Sequence, residues 1–277
     1  PTSLGYAMST SPMGPYEYKG IIIDNAGCDP ETWNNHGSVV QVDGQWYVLY
    51  HRSTHASRAM RKACIEPIHF NEDGTIDEVE MTSQGAAGPL DASAMVDAAR
   101  ACMLKGNVRI RQMEGNAHRE ELGEIRSGDR AAWKYLDFGK EGLDRFHIRL
   151  KSVAGGTVIV RTDAPDGQEI CRVTAPAAQG WQEYETECIT TKGVHAVWME
   201  FVGESTGQTL FGMDGFRLSQ GQSQTRISCM RTNGLAMPCG TDPDVRPTFS
   251  WILASGVSGT MQQAYRIVVS AGGKKMW

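Results

Sequence analysis

Short apolar and polar alternations recur along the whole chain, broken by Gly, Asp-Gly and Asn-rich stretches, and helical spacing of apolar residues is nearly absent. A period of two buries one face of a strand, so the pattern predicts an all-β protein. The clearest unit is residues 38–42, then Asp43-Gly44, then residues 45–50. Asp-Gly accepts the positive φ of a tight two-residue turn, so a hairpin is expected there. The run 71–75, Asn-Glu-Asp-Gly-Thr, is expected to join strands at 65–70 and 76–81 in the same way. Residues 92–101, rich in Ala and Met, read as a connecting helix. From Val108 the rhythm changes, with strands expected at 131–139, 146–151, 157–162, 169–174, 182–187, 194–202 and 210–218. That is enough for two packed sheets. A Gln/Ser-rich stretch, 219–224, reads as a linker, and strands are expected after it at 248–254 and 264–270.

Length and charge narrow the picture. A chain of 277 residues invites a division into two or three modules. The 27 basic and 32 acidic side chains, a net charge of -5, are interspersed without a basic stripe, which argues against nucleic acid as a partner. No run approaches the ~20 apolar residues that cross a bilayer, so no membrane partner is expected. The first residue is Pro1, and no basic region precedes an apolar core, so no signal peptide is expected in this chain. The seven cysteines lack CxxC spacing, which argues against zinc and gives no disulfide framework. Cys171 and Cys188 flank an expected hairpin and either pair or face one another as buried thiols.

Residues 1 to about 90 carry Tyr6-Ala7-Met8-Ser9-Thr10-Ser11-Pro12-Met13-Gly14-Pro15-Tyr16, then Asn35-His36-Gly37-Ser38 and Gly44-Gln45-Trp46-Tyr47-Val48-Leu49-Tyr50-His51-Arg52. This segment resembles the last part of a five-bladed propeller of glycoside hydrolase family 43, which contains arabinofuranosidases, xylosidases and arabinanases. The resemblance implies that the base, orienting and acid carboxylates of that family, which inverting hydrolysis requires, come from earlier blades. No catalytic residue is therefore assigned. His36 matches a family histidine near the propeller axis, and its competing reading is a histidine held in a sheet by hydrogen bonds. Asp24, Asp29 and Glu31 read as solvated loop acids.

Residues from about 108 to 219 carry Ile110-Arg111-Gln112-Met113-Glu114, Ser127-Gly128-Asp129-Arg130-Ala131-Ala132-Trp133-Lys134-Tyr135-Leu136-Asp137-Phe138-Gly139, Gly180-Trp181-Gln182 and Asp214-Gly215-Phe216. This stretch resembles a carbohydrate-binding module of family 6, a β-sandwich. The resemblance implies sugar stacking at the loop end between Trp133 and Trp181, since the C–H face of a pyranose matches a flat indole. The competing reading makes either ring part of the core, and Trp198 reads as packing. It also implies a structural calcium ion at Gln112, Glu114 and Asp214, with salt-bridged or capping carboxylates as the alternative. Gly212 stands where an asparagine often reads sugar hydroxyls, which puts affinity and sugar choice in doubt; some family members use a second site on the concave face.

The last stretch, Pro238-Cys239-Gly240-Thr241-Asp242-Pro243 through Trp251, then Gln262-Gln263-Ala264-Tyr265-Arg266, resembles the opening of a bacterial α-L-rhamnosidase. The expected organisation is a partial propeller over 1–90, a connector over 91–104, a jelly-roll β-sandwich over 105–219, and a linker with a rhamnosidase-like β segment over 220–277. The expected function is non-catalytic binding of plant polysaccharide, xylan or arabinoxylan, outside the cytoplasm in an extracellular or periplasmic setting. Hydrolysis is the alternative, if assembly supplies further blades, and self-association is expected at the open propeller edge.

Overall fold

The computed structural model describes residues 2–28, 34–221, 226–236, 246–254, 261–268, 270–271 and 274–275. Asp29, Glu31 and all of residues 238–245, Cys239 among them, lie outside them. The chain divides into two units, Pro1–Gln220 and Gly221–Trp277.

The first unit opens with two small antiparallel sheets. One pairs β1 (Ser3–Met8) with β2 (Glu17–Asp24). The other runs β3 (Ser38–Val42), β4 (Gln45–Thr54), β5 (Ser57–Ile68). The expected Asp-Gly hairpin joins β3 to β4, with Asp43 at φ 49 and Gly44 at φ 84. The turn at 71–75 also forms, closed by the Asn71 amide donating to the Thr75 carbonyl at 2.8 Å. The strand expected at 76–81 does not form; residues there make two isolated bridges, Phe70 to Ile76 and Ile23 to Val79. Ile22, Ile23, Val48, Tyr50, Ile68 and Met81 make a small core, to which Cys102 belongs as well.

The expected helix at 92–101 does not form. Its residues lie across the sandwich as β6 (Leu90–Asp91), β7 (Val96–Asp97) and a 3-10 turn (Ala98–Arg100), followed by β8 (Met103–Lys105). Tertiary packing overrides alanine's helix preference here: Ala92, Ala98, Ala99 and Ala101 are buried, and small side chains let the backbone press against both sheets. β6 and β8 pair with one sheet and β7 with the other, so the stretch expected to be a connector belongs to the sandwich.

The sandwich proper contains β9 (Arg109–Gln112), β10 (Glu120–Ile125), β11 (Arg130–Asp137), β12 (Leu143–Ser152), β13 (Gly156–Thr162), β14 (Glu169–Ala175), β15 (Trp181–Thr191), β16 (Val194–Val202) and β17 (Phe211–Ser219). One sheet runs β14-β13-β16-β11-β6, the other β15-β12-β17-β10-β9. Alternation puts Phe146, Ile148 and Leu150 of β12 inward against Val158, Val160, Met199, Phe201, Phe211 and Phe216. The outward side chains of the second sheet are mostly charged, which suits that face to solvent.

The first segment packs on the sandwich. The buried Arg52 guanidinium donates to the carbonyls of Ala101 at 2.5 Å and Ala99 at 3.1 Å, and Lys62 bonds Glu120. In the second unit β18 (Arg226–Thr232) pairs with β19 (Phe249–Ala254), and β20 (Ser270–Ala271) with β21 (Lys274–Lys275). The strand expected over 264–270 is absent from 264–268, and the strand expected at 248–254 forms as β19 beside β18.

Candidate functional site

The two tryptophans expected to clamp a sugar are separated by the sandwich wall. Trp133 is 0% exposed and packs edge-on against Phe216, with ring centroids 5.0 Å apart. It cannot stack on a ligand. Parity explains the correction: Trp133 follows Ala131 by two residues and pairs with Val197, so it falls on the inward face of β11. The residue directly after Gly128-Asp129 is Arg130, which points outward and pairs with Glu200 at 3.1 Å. At the loop end, a cavity of about 610 Å³ lined by Gly155, Gly156, Pro176, Gly203, Glu204 and Leu210 has no aromatic wall.

Trp181 lies instead on the outer face of the second sheet. It begins β15 opposite Lys151 of β12, which faces Gly212 of β17. The half-buried indole reaches inward along this row, and a Cβ built on Gly212 would stand 3.5 Å from Trp181 Cη2. Gly212, where the resemblance placed a polar reader, thus lies beside the ring, and a Cβ there would meet it at ordinary contact distance. The Arg149 guanidinium lies over the indole at 5.7 Å from its centroid, a cation–π contact.

Beside the ring is a polar platform. Asp214, buried, accepts from Arg119 Nη2 at 2.6 Å on Oδ1 and from Arg149 Nη1 at 2.8 Å on Oδ2. Glu121, also buried, accepts from Arg111 Nε at 3.0 Å. Lys151 Nζ donates to Glu114 at 2.9 Å. These pairs fix outward N–H and carboxylate groups in place, the kind of array that bonds vicinal hydroxyls beside a stacked ring.

The same pairs answer the calcium expectation. Both Asp214 oxygens are taken by arginines, Glu114 is held by Lys151, and Gln112 Nε2 donates to the Asn116 carbonyl at 3.3 Å. A dication at Asp214 would face two guanidinium groups, so these residues do not fit a calcium cage. No group of three or more His, Cys, Asp or Glu among the described residues converges as metal ligands. The salt-bridged alternative describes Glu114 and Asp214.

His36 sits in the first segment with its side chain exposed, its ring centroid 4.4 Å from that of His51 and its Nε2 3.4 Å from Arg61 Nη1. Burial, then the neighbouring His36, lowers the pKa of His51. Trp198 is half-exposed on the outer face of the first sheet, not packed inside; its Nε1 donates to the Asp163 carbonyl at 3.2 Å and Lys134 covers its ring. Its pairing with Ala132 and Arg161, against the inward Val197 and Met199, was the signal in the alternation.

Comparison with known proteins agrees with this architecture. Residues 99–220 match the model of the carbohydrate binding module, family 6. Residues 1–76 match glycosyl hydrolases family 43, and residues 227–277 match the Rha78A-like N-terminal immunoglobulin domain. The chain is 32% identical over 236 residues to an arabinoxylan arabinofuranohydrolase of Bacillus subtilis, covering 79% of this chain and 45% of that protein. It is 28% identical over 235 residues to a xylosidase/arabinosidase of Thermoclostridium stercorarium, covering 73% of this chain and 49% of the relative. A crystal structure of a family 43 arabinoxylan arabinofuranohydrolase from Bacillus subtilis in complex with cellotetraose aligns with TM-score 0.50 and 30% identity, over 80% of this chain and 48% of that one. The chain therefore spans less than half the length of these relatives. It joins a stretch that matches the family 6 carbohydrate binding module to one that matches glycosyl hydrolases family 43.

Proposed function

We propose that the chain binds plant cell-wall polysaccharide of the xylan or arabinoxylan type, and that the family 6 module does so on the outer face of its second sheet. The observation that carries the reading is Trp181, a half-exposed indole beside Gly212 with Arg149, Lys151 and Asp214 around it. The ring supplies stacking on the pyranose C–H face, and the paired charges supply donors and acceptors for hydroxyls. The choice of sugar rests on the relatives, whose names are arabinoxylan arabinofuranohydrolase and xylosidase/arabinosidase. Polymeric substrates of this kind place the protein in an extracellular or periplasmic setting.

Titration calorimetry of the chain with xylo-oligosaccharides tests this. Binding of about 5 kcal/mol is expected, a dissociation constant between micromolar and millimolar. Loss of binding in Trp181→Ala supports the site, and unchanged binding refutes it. Hydrolysis is the second reading, and it calls for carboxylates from blades beyond this segment; release of arabinose or xylose from an aryl glycoside by the purified chain would establish it. Self-association is proposed at β3, an edge strand exposed along its length with Val39, Val40 and Val42 in solvent. A monomeric mass by light scattering at high concentration would refute that part.

A further inference from the structure

Two of the described cysteines meet where the sandwich closes on itself. Cys171 lies on β14, the edge of the first sheet, and Cys188 on β15, the edge of the second. The two strands are consecutive in the chain, joined by residues 176–180, yet no ladder of backbone hydrogen bonds runs between them. Their inward side chains cross from sheet to sheet. Cys171 is 7% exposed within the main core, and the half-buried Cys188 packs against that core. The two strands pack against one another, and each thiol influences the other more strongly than any other group does.

We propose that Cys171 and Cys188 form an inter-sheet disulfide when the protein meets a small-molecule disulfide such as oxidised glutathione. Cys188 is the more exposed of the pair and acts first. Its thiolate attacks one sulfur of the oxidant, breaking that S–S bond and releasing one thiolate, and leaves a mixed disulfide on Cys188. The Cys171 thiol gives up its proton, and its sulfur attacks the Cys188 sulfur and expels the second thiol. Two protein thiols are oxidised to one disulfide, and the oxidant is reduced to two thiols.

The division of labour follows from the contact. The neighbouring Cys188, then burial, raises the pKa of Cys171, and the neighbouring Cys171 lowers that of Cys188. The lowered partner is also the one that solvent reaches, which is the requirement for an attacking thiol.

Other cysteines supply internal comparisons. Cys28, Cys64 and Cys102 surround the buried Arg52, and burial is the leading cause that raises each of them, Cys28 to about 11. They should stay reduced in the folded protein. Cys229 is exposed and belongs to the second unit, so it should accept the oxidant.

The test is peptide mapping of the full chain, kept folded at neutral pH with oxidised glutathione, quenched by alkylation and digested without reductant. The expected result is a cross-linked peptide pair holding Cys171 and Cys188, glutathione on Cys229, and alkylated Cys28, Cys64 and Cys102. Recovery of Cys171 and Cys188 as alkylated thiols while Cys229 carries glutathione overturns the proposal. So does a stable mixed disulfide on Cys188 with Cys171 still free. In Cys171→Ser, with folding checked by intrinsic fluorescence, the mixed disulfide on Cys188 should accumulate; Cys188→Ser should leave Cys171 unmodified. If either variant does not fold, the wild-type map alone decides.

Discussion

Replacing each of two tryptophans by alanine separates the core from the sugar site, and the structure sets opposite outcomes. Trp133 is wholly buried against Phe216, so Trp133→Ala opens a cavity in the middle of the sandwich. Such truncations cost about 3–5 kcal/mol. The lower end applies, because the Trp133 Nε1 has no hydrogen-bond partner among the described residues and its loss removes an orphan donor. In a unit of this size each kcal/mol moves Tm by about 2–4 °C, so a fall of roughly 6–12 °C is expected. Trp181 is half-buried at the start of an edge strand, and its removal should cost stability no more than about 1 kcal/mol. In exchange it should lose about 2 kcal/mol of sugar binding, near 30-fold in Kd. Calorimetric melting and titration with xylohexaose, run on both variants, read the two quantities. The assignment is refuted if Trp133→Ala melts with the wild type, or if folded Trp133→Ala loses binding while Trp181→Ala keeps it.

Arg52→Ala removes a buried guanidinium from the Ala99 and Ala101 carbonyls; Lys62 still donates to Ala99, so a loss of about 2 kcal/mol is expected, chiefly from the Ala101 carbonyl left unpaired. Limited proteolysis should then cut the first segment faster while the sandwich stays intact; equal cutting of both would contradict it. Because Asp214 and Glu114 are already neutralised by arginines and a lysine, EDTA should leave Tm unchanged, and a calcium-dependent rise of several degrees would show that these side chains rearrange around an ion. His51 and His147 both have pKa values lowered chiefly by burial, from an ordinary 6.5. The unfolded chain binds protons there that the folded chain does not, so stability should hold above pH 6.5 and decline as pH falls below it. Urea midpoints at closely spaced pH values check the sign, and a midpoint that rises toward pH 5.5 would refute it.

The all-β class, the Asp43-Gly44 hairpin and the strands of the sandwich were legible because period-two alternation and turn residues are local signals. So was the family of each segment, carried by runs such as Trp133 to Gly139 and Gly44 to Arg52. The helix expected at 92–101 failed for the complementary reason: its alanines answer to two sheets that the local sequence does not contain. Trp133 could have been placed inward from its parity with Ala131, yet its distance from Trp181 is a property of the assembled sandwich. Which partner each charge would find, Arg119 and Arg149 for Asp214 or Lys151 for Glu114, depended on residues up to 95 positions apart. The sequence by itself determined which residues alternate and turn, since those choices are settled within a few bonds. Only the tertiary structure decided which ring faces solvent, which carboxylates are already paired and which thiols touch, because burial, charge pairing and inter-sheet contact exist only once distant strands are packed together.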